Sequence, residues 1–111
     1  MKLTQIQPPP ELEFRTVDGI AIVVQKFPAP GSVMVQHKHD YDHGHFVAAG
    51  SVRLWVDDTL VGDFSAPTLI PIEANRYHRL MALEPGTIGL CIHNLHGRPG
   101  ISIADLATLD A

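Results

Sequence analysis

Four of the seven histidines fall close together, at His37, His39, His43 and His45, in the stretch GSVMVQHKHDYDHGHFVAAG that runs from Gly31 to Gly50. Neutral imidazole is a good ligand for zinc, iron, copper and nickel, and a rigid scaffold that brings several rings to about 2.0–2.2 Å from one ion makes a metal centre. Positions left open on such an ion permit Lewis-acid chemistry, activation of water, or binding of dioxygen beside a substrate. The elements around the histidines must therefore aim them at one point.

Val33, Val35, His37 and His39 share one parity, so on a strand their side chains project from the same face and the two imidazoles stand side by side. A turn at Asp40, Tyr41 and Asp42 carries the chain round. His43 and His45 then enter the next strand pointing back towards the first pair, which builds a metal site from a hairpin. His45 shares the parity of His43, and the spacing leaves open which of them is the third ligand; His45 is otherwise a pocket residue. Asp40 and Asp42 read as turn formers, because aspartate side chains cap their own backbone in tight turns. Their functional alternative is to orient a ligand imidazole.

The remaining segments read as short strands. Pro8, Pro9 and Pro10 lack backbone donors and favour an extended arm over residues 1–11, outside the core. Leu12 to Val17 and Ile20 to Phe27 are β-prone, and Asp18-Gly19 between them is the strongest hairpin signal in the chain. Val52, Leu54 and Val56 alternate against Arg53 and Trp55, which gives one apolar face. Asp57 and Asp58 make the next turn. Thr59 to Phe64 and Thr68 to Ile72 follow, and Pro67 and Pro71 restrict both to edges or strand ends. Tyr77 to Leu83 leads to Glu84-Pro85-Gly86, which suits a type II turn, and Ile88 to Leu95 completes the sheet. Only Ile101 to Leu109, in the tail 98–111, has a helical pattern. This is an all-β chain, a sandwich or a barrel, in a single domain spanning 1–111.

At 111 residues and 45% hydrophobic content the chain fits one globular domain. The formal charge of −4 and the lack of a Lys/Arg cluster argue against a nucleic-acid surface. With Cys91 as the one cysteine there is no disulfide scaffold, and it reads as a buried small apolar residue. The chain shows neither a signal-peptide pattern nor an apolar run long enough to span a bilayer. A cytoplasmic protein is the expectation.

The spacing Gly31, His37, His39, His43 and Gly50 resembles the first sequence motif of the cupins. That motif usually has glutamate where this chain has His43. His78, in PIEANRYHRL, matches the histidine of the second cupin motif, although Pro71 lies too far upstream and Asn75 stands where glycine is usual. Asparagine tolerates the left-handed conformation better than most residues, which softens that departure. The resemblance covers roughly Gly31 to Asn94. It implies a cupin-type double-stranded β-helix, or jelly-roll barrel, with His37, His39, His43 and His78 as metal ligands. Arg76 shares the parity of His78 and is a pocket candidate for holding a carboxylate. His93 and His96, in IHNLHG, read as surface or structural histidines.

An all-histidine shell leaves the charge of a divalent ion uncompensated, which favours an anionic substrate. The resemblance implies a divalent transition metal, Fe, Zn, Ni or Mn, and spans dioxygenases, isomerases, lyases and decarboxylases. All-histidine sites are similar to those of some iron-dependent dioxygenases, so a metal-dependent enzyme on a small organic substrate is the favoured expectation. A non-catalytic cupin that binds or senses a small molecule or metal is the alternative, since fold alone does not separate them. Single-barrel cupins commonly form homodimers, and Leu12 to Val17 offers a strand to a neighbour's sheet.

Overall fold

Asp18 and Gly19 both take positive φ, 45° and 75°, and fold Glu11–Val17 (β1) back on Ile20–Lys26 (β2) in the hairpin expected for that dipeptide. The computed structural model describes residues 7–96, with the backbone alone described at 35–37. Seven more strands follow within that range: Val33–His37 (β3), His43–Ala49 (β4), Ser51–Val56 (β5), Thr59–Ser65 (β6), Thr68–Ile72 (β7), His78–Ala82 (β8) and Ile88–Asn94 (β9). The helix expected at Ile101–Leu109 lies outside the described residues.

All pairings are antiparallel and form two sheets, one ordered β1-β2-β9-β4-β7 and the other β3-β8-β5-β6. The strands limited by proline, β6 and β7, both lie at sheet edges, where a missing N–H costs no ladder bond. Asp57 and Asp58, at φ 49° and 63°, close the β5–β6 turn, and Gly86 at φ 73° closes the turn before β9. Asn75 adopts the left-handed conformation, φ 62°, in the position where the motif usually has glycine.

The core lies between the two sheets. Val23, Val47, Ile70, Ile72 and Cys91 face Met34, Val52, Leu54, Leu80 and Ala82, all of them buried. The same alternation leaves Ile20, Ile22 and Val24 of β2, Phe46 of β4, and Ile88, Leu90 and Ile92 of β9 half-buried on the outer face of the larger sheet. Glu13, Arg15 and Lys26 form ion pairs at the rim of that face.

Two details depart from the simple pattern. Pro8–Pro10 have no regular structure, yet Pro10 is buried and the Pro8 carbonyl accepts the Ser32 hydroxyl at 2.6 Å, so the arm touches the core. The second departure is in β3. Met34 pairs with Leu80 and His37 with His78, so three steps on β3 match two on β8. This β-bulge breaks the parity assumed for Val33 through His39 and ends the strand at His37. His39 therefore stands in the loop beyond the strand.

Both glycines that bound the histidine stretch have positive φ, 88° at Gly31 and 73° at Gly50. Gly50 also packs against Thr87: a Cβ there would stand 2.8 Å from the Thr87 Cα. Only glycine satisfies both demands.

Candidate metal centre

Four strand and loop segments bring imidazoles to one end of the barrel. His43 opens β4 and points inward with His45 and Val47. On the neighbouring β9 the register that sets Gly44 against Ile92 places His93 beside His43, and their rings stack at 5.0 Å. His78 opens β8 on the facing sheet, with its ring 4.9 Å from that of His43. His39 closes the group from the loop, 4.9 Å from His43, 5.0 Å from His93 and 6.1 Å from His78 between ring centroids.

The group is shut off from water: His43, His78 and His93 are exposed by 7%, 1% and 0%. His39 is half-buried as a residue, but its Nε2 is inside. Tyr41 covers the group, stacked on His39 at 5.2 Å, with its hydroxyl 3.1 Å from Nδ1 of His93.

Two hydrogen bonds fix the loop that carries His39 and Tyr41. The Asn75 N–H donates to the His39 carbonyl at 2.7 Å, and the Ala74 N–H donates to the Asp42 carboxylate at 2.7 Å. Asp42 thus acts between loops, holding the histidine loop against the β7–β8 connection. That connection is held in turn by Asp57, which accepts from the Tyr77 N–H at 3.0 Å and from Arg76 at 2.5 Å.

The donor set fits a transition metal. Imidazole nitrogens of His39, His43 and His93 lie within 4.8 Å of one another. Two nitrogens each bound to one ion are at most about 4.2 Å apart, so the three rings would draw closer to share an ion. These three histidines bring no negative charge, and an ion among them would keep its full attraction for an anion.

The expected residues fall into place unevenly. His39, His43 and His78 come together. The backbone of His37 stands opposite His78 in the β3–β8 ladder, and its side chain lies outside the described residues. His93, expected to be a surface or structural histidine, is fully buried within the cluster. Its signal was parity with Gly89 and Cys91 on β9; what the sequence does not reveal is that β9 lies next to β4.

His45 lies one inward step deeper than His43. Its Nδ1 is 3.2 Å from the sulfur of Cys91, which also accepts from the Gln25 amide at 3.1 Å. Burial pushes the Cys91 thiol up to about 12, only partly offset by the Gln25 bond, so it is a neutral member of a buried polar group. The Arg76 carbonyl stands 3.4 Å from Nδ1 of His78, while its side chain points to carboxylates. That side chain is exposed, pairs with Asp57 and lies 3.7 Å from Glu73.

Arg76 and Glu73 line an open groove of about 210 Å³ with Val56, Val61, Pro71 and Ile72. Ile72 is the register partner of His43 and Val56 that of His78, so the groove adjoins the histidine end of the barrel.

No protein-family model matches the sequence, and no curated protein sequence does either. Solved structures do match. KdgF from a Halomonas species superposes with a TM-score of 0.67 at 18% identity, over 83% of this chain and 84% of that one. A cupin superfamily protein from Desulfitobacterium hafniense gives 0.68 at 15% identity, over 84% of each chain. An RmlC-like cupin with a double-stranded β-helix fold from Methanocaldococcus jannaschii gives 0.67 at 11% identity, over 86% of this chain and 88% of that one. The chain is a small protein with the cupin fold, and its histidine cluster lies inside that barrel.

Proposed function

We propose that this chain is a metal-dependent cupin enzyme acting on a small anionic organic substrate, with Fe(II)-dependent dioxygenation the favoured reaction. The observation that carries the reading is the convergence of His39 on the buried His43, His78 and His93, with nitrogens of His39, His43 and His93 within 4.8 Å of one another. Imidazoles gathered this closely offer several ligand nitrogens to one transition-metal ion. His37, His39, His43 and His78 are the ligands proposed first, and the backbone of His37 is the register partner of His78. Bound iron would supply the redox chemistry of dioxygen, and zinc, nickel or manganese would supply Lewis acidity.

The chain's own residues define the rest. The imidazoles hold the charge in place, the packed barrel keeps water out, and the all-nitrogen shell favours a carboxylate or enolate. The groove beside Ile72 and Val56 offers space for the remainder of a small molecule. It also supports the second reading, a non-catalytic barrel that binds a small ligand, because Arg76 at its rim is already paired with Asp57. A homodimer is part of the proposal: the outer face of the larger sheet is apolar at its centre and charged at its rim, as interfaces between stable partners are.

The test is metal analysis of untagged protein, reconstituted anaerobically with iron, zinc, nickel and manganese. Wild type should hold close to one equivalent, and folded His43→Ala and His78→Ala variants should lose it. Oxygen uptake by the iron form with β-diketones and small thiols then tests the reaction. A wild type that binds none of the four metals ends the enzyme reading. Stoichiometric metal without oxygen uptake or substrate loss moves the chain to an isomerase, a lyase or the binding module.

A further inference from the structure

The contact between Tyr41 and His93 carries an inference that neither histidine motif contains. His93 is fully buried, stacks on His43 with an interplanar angle of 19°, and has Nδ1 3.1 Å from the Tyr41 hydroxyl. A neutral imidazole has one N–H and one lone pair, and the partner of the first nitrogen decides which the second presents. If Nδ1–H donates to the phenol oxygen, Nε2 presents a lone pair. If the phenol donates to Nδ1, Nε2 carries a proton and turns away a cation.

Resting on the metal reading above, we propose that Tyr41 is a positioning residue that holds His93 as the Nδ1–H tautomer, making Nε2 of His93 a metal ligand supplied by the last strand. Three observations converge on this direction. Nε2 of His93 is sealed from solvent. A nitrogen of this ring already lies within 4.8 Å of nitrogens of His39 and His43, and Nδ1 is taken by Tyr41. A ligating histidine ordinarily donates its other N–H to an oxygen acceptor, and the phenol oxygen is one. Tyr41 is itself held by its stack on His39, so it links the loop ligand to the β9 ligand. The device joins the loop after β3 to the larger sheet.

Long-range proton–nitrogen correlation spectra of metal-free, histidine-labelled protein report the tautomer directly. His93 should be protonated at Nδ1 in wild type, and Tyr41→Phe, which keeps the ring on His39 but removes the acceptor, should shift it towards Nε2–H. Zinc affinity, measured by chelator competition, should fall about 10–100-fold in Tyr41→Phe and at least as far in His93→Ala, as for loss of a ligand or its orienting partner. A purely structural role for Tyr41 would leave the tautomer unchanged. His93 protonated at Nε2 in wild type overturns the proposal, as do Tyr41→Phe and His93→Ala proteins that bind zinc as tightly as wild type. A wild type that binds neither zinc nor iron, nickel or manganese overturns the ligand role together with the metal reading. Binding by wild type with both variants unimpaired overturns the ligand role alone.

Discussion

Gly89 and His45 occupy space that only one of them can fill with a side chain: a Cβ on Gly89 would stand 2.6 Å from Cε1 and Nε2 of the His45 ring, and 3.1 Å from Oε1 of Gln25. The glycine on β9 is thus the recess that receives the histidine of β4. Gly89→Ala should destabilise the protein by about 1–3 kcal/mol, the usual range for overpacking a filled core. Urea unfolding checks it. A variant as stable as wild type would mean that the ring moves aside freely.

Cys91 is the hub of the same buried group, and its chemistry follows from its surroundings. With the thiol fully buried and pushed up to about 12, almost none is thiolate at neutral pH. Native protein should not react with a thiol reagent at pH 8 on the timescale in which denatured protein reacts completely. Cys91→Ala should cost about 1–3 kcal/mol, because Gln25 and His45 lose a buried partner. Rapid labelling of the native protein would contradict the burial.

These residues also show what can be read from sequence and what cannot. Asp18-Gly19 and the prolines at 67 and 71 act through local backbone geometry, so the first hairpin and the two sheet edges were legible. The motif spacing singled out His43 and His78, whose rings the structure brings to 4.9 Å of each other. The bulge between Met34 and His37 was not, because an extra residue leaves no composition signal and shows only against the partner strand. His93 was missed for a related reason. Its neighbour His43 is fifty positions away in sequence, and only the sheet order β9-β4 brings the two together. Parity was visible, adjacency was not.

Asp42 ties the loop bearing His39 and Tyr41 to the Ala74 N–H, so its effect should appear in metal binding more than in folding. Asp42→Ala should weaken zinc binding by about 10-fold, the lower end of the range for residues that orient ligands. Asp42→Asn keeps an oxygen acceptor and should fall between it and wild type. Chelator competition beside thermal unfolding separates the two effects. Equal losses of stability and affinity would place Asp42 in the general scaffold instead.

Asp57 gives a pH dependence with a defined sign. Hydrogen bonds from Arg76 and from the Tyr77 N–H hold its carboxyl below the ordinary aspartate value. A carboxylate with a lowered folded value contributes its stability in full above its unfolded value, and loses it as pH falls through the folded one. Asp57→Asn should therefore melt below wild type at pH 7, with the gap closing below about pH 4, where aspartate in the unfolded chain takes up its proton. The gap should also shrink in high salt, because the pair with Arg76 is exposed. Melting curves at four or five pH values test this. A gap independent of pH would assign the effect to the turn geometry.

The outer face of the larger sheet supplies the last prediction. Ile22 and Ile92 are register partners on adjacent central strands, both half-buried on the side away from the core. A contiguous apolar surface of that kind is costly to leave in water, and two copies related by a twofold axis can cover it for each other. The 12.1 kDa chain should then run in light scattering at twice its mass. Ile22→Glu places a charge at the centre of the face without touching the inward row of Ala21, Val23 and Gln25. It should convert the dimer to a folded monomer that still binds metal, since the imidazoles lie on the opposite side of the sheet. A wild type that is monomeric at millimolar concentration would show that the face is covered in some other way. A dimer that survives Ile22→Glu would move the interface elsewhere on the barrel, with the exposed edge residues Leu60, Val61 and Leu69 the next place to introduce a charge.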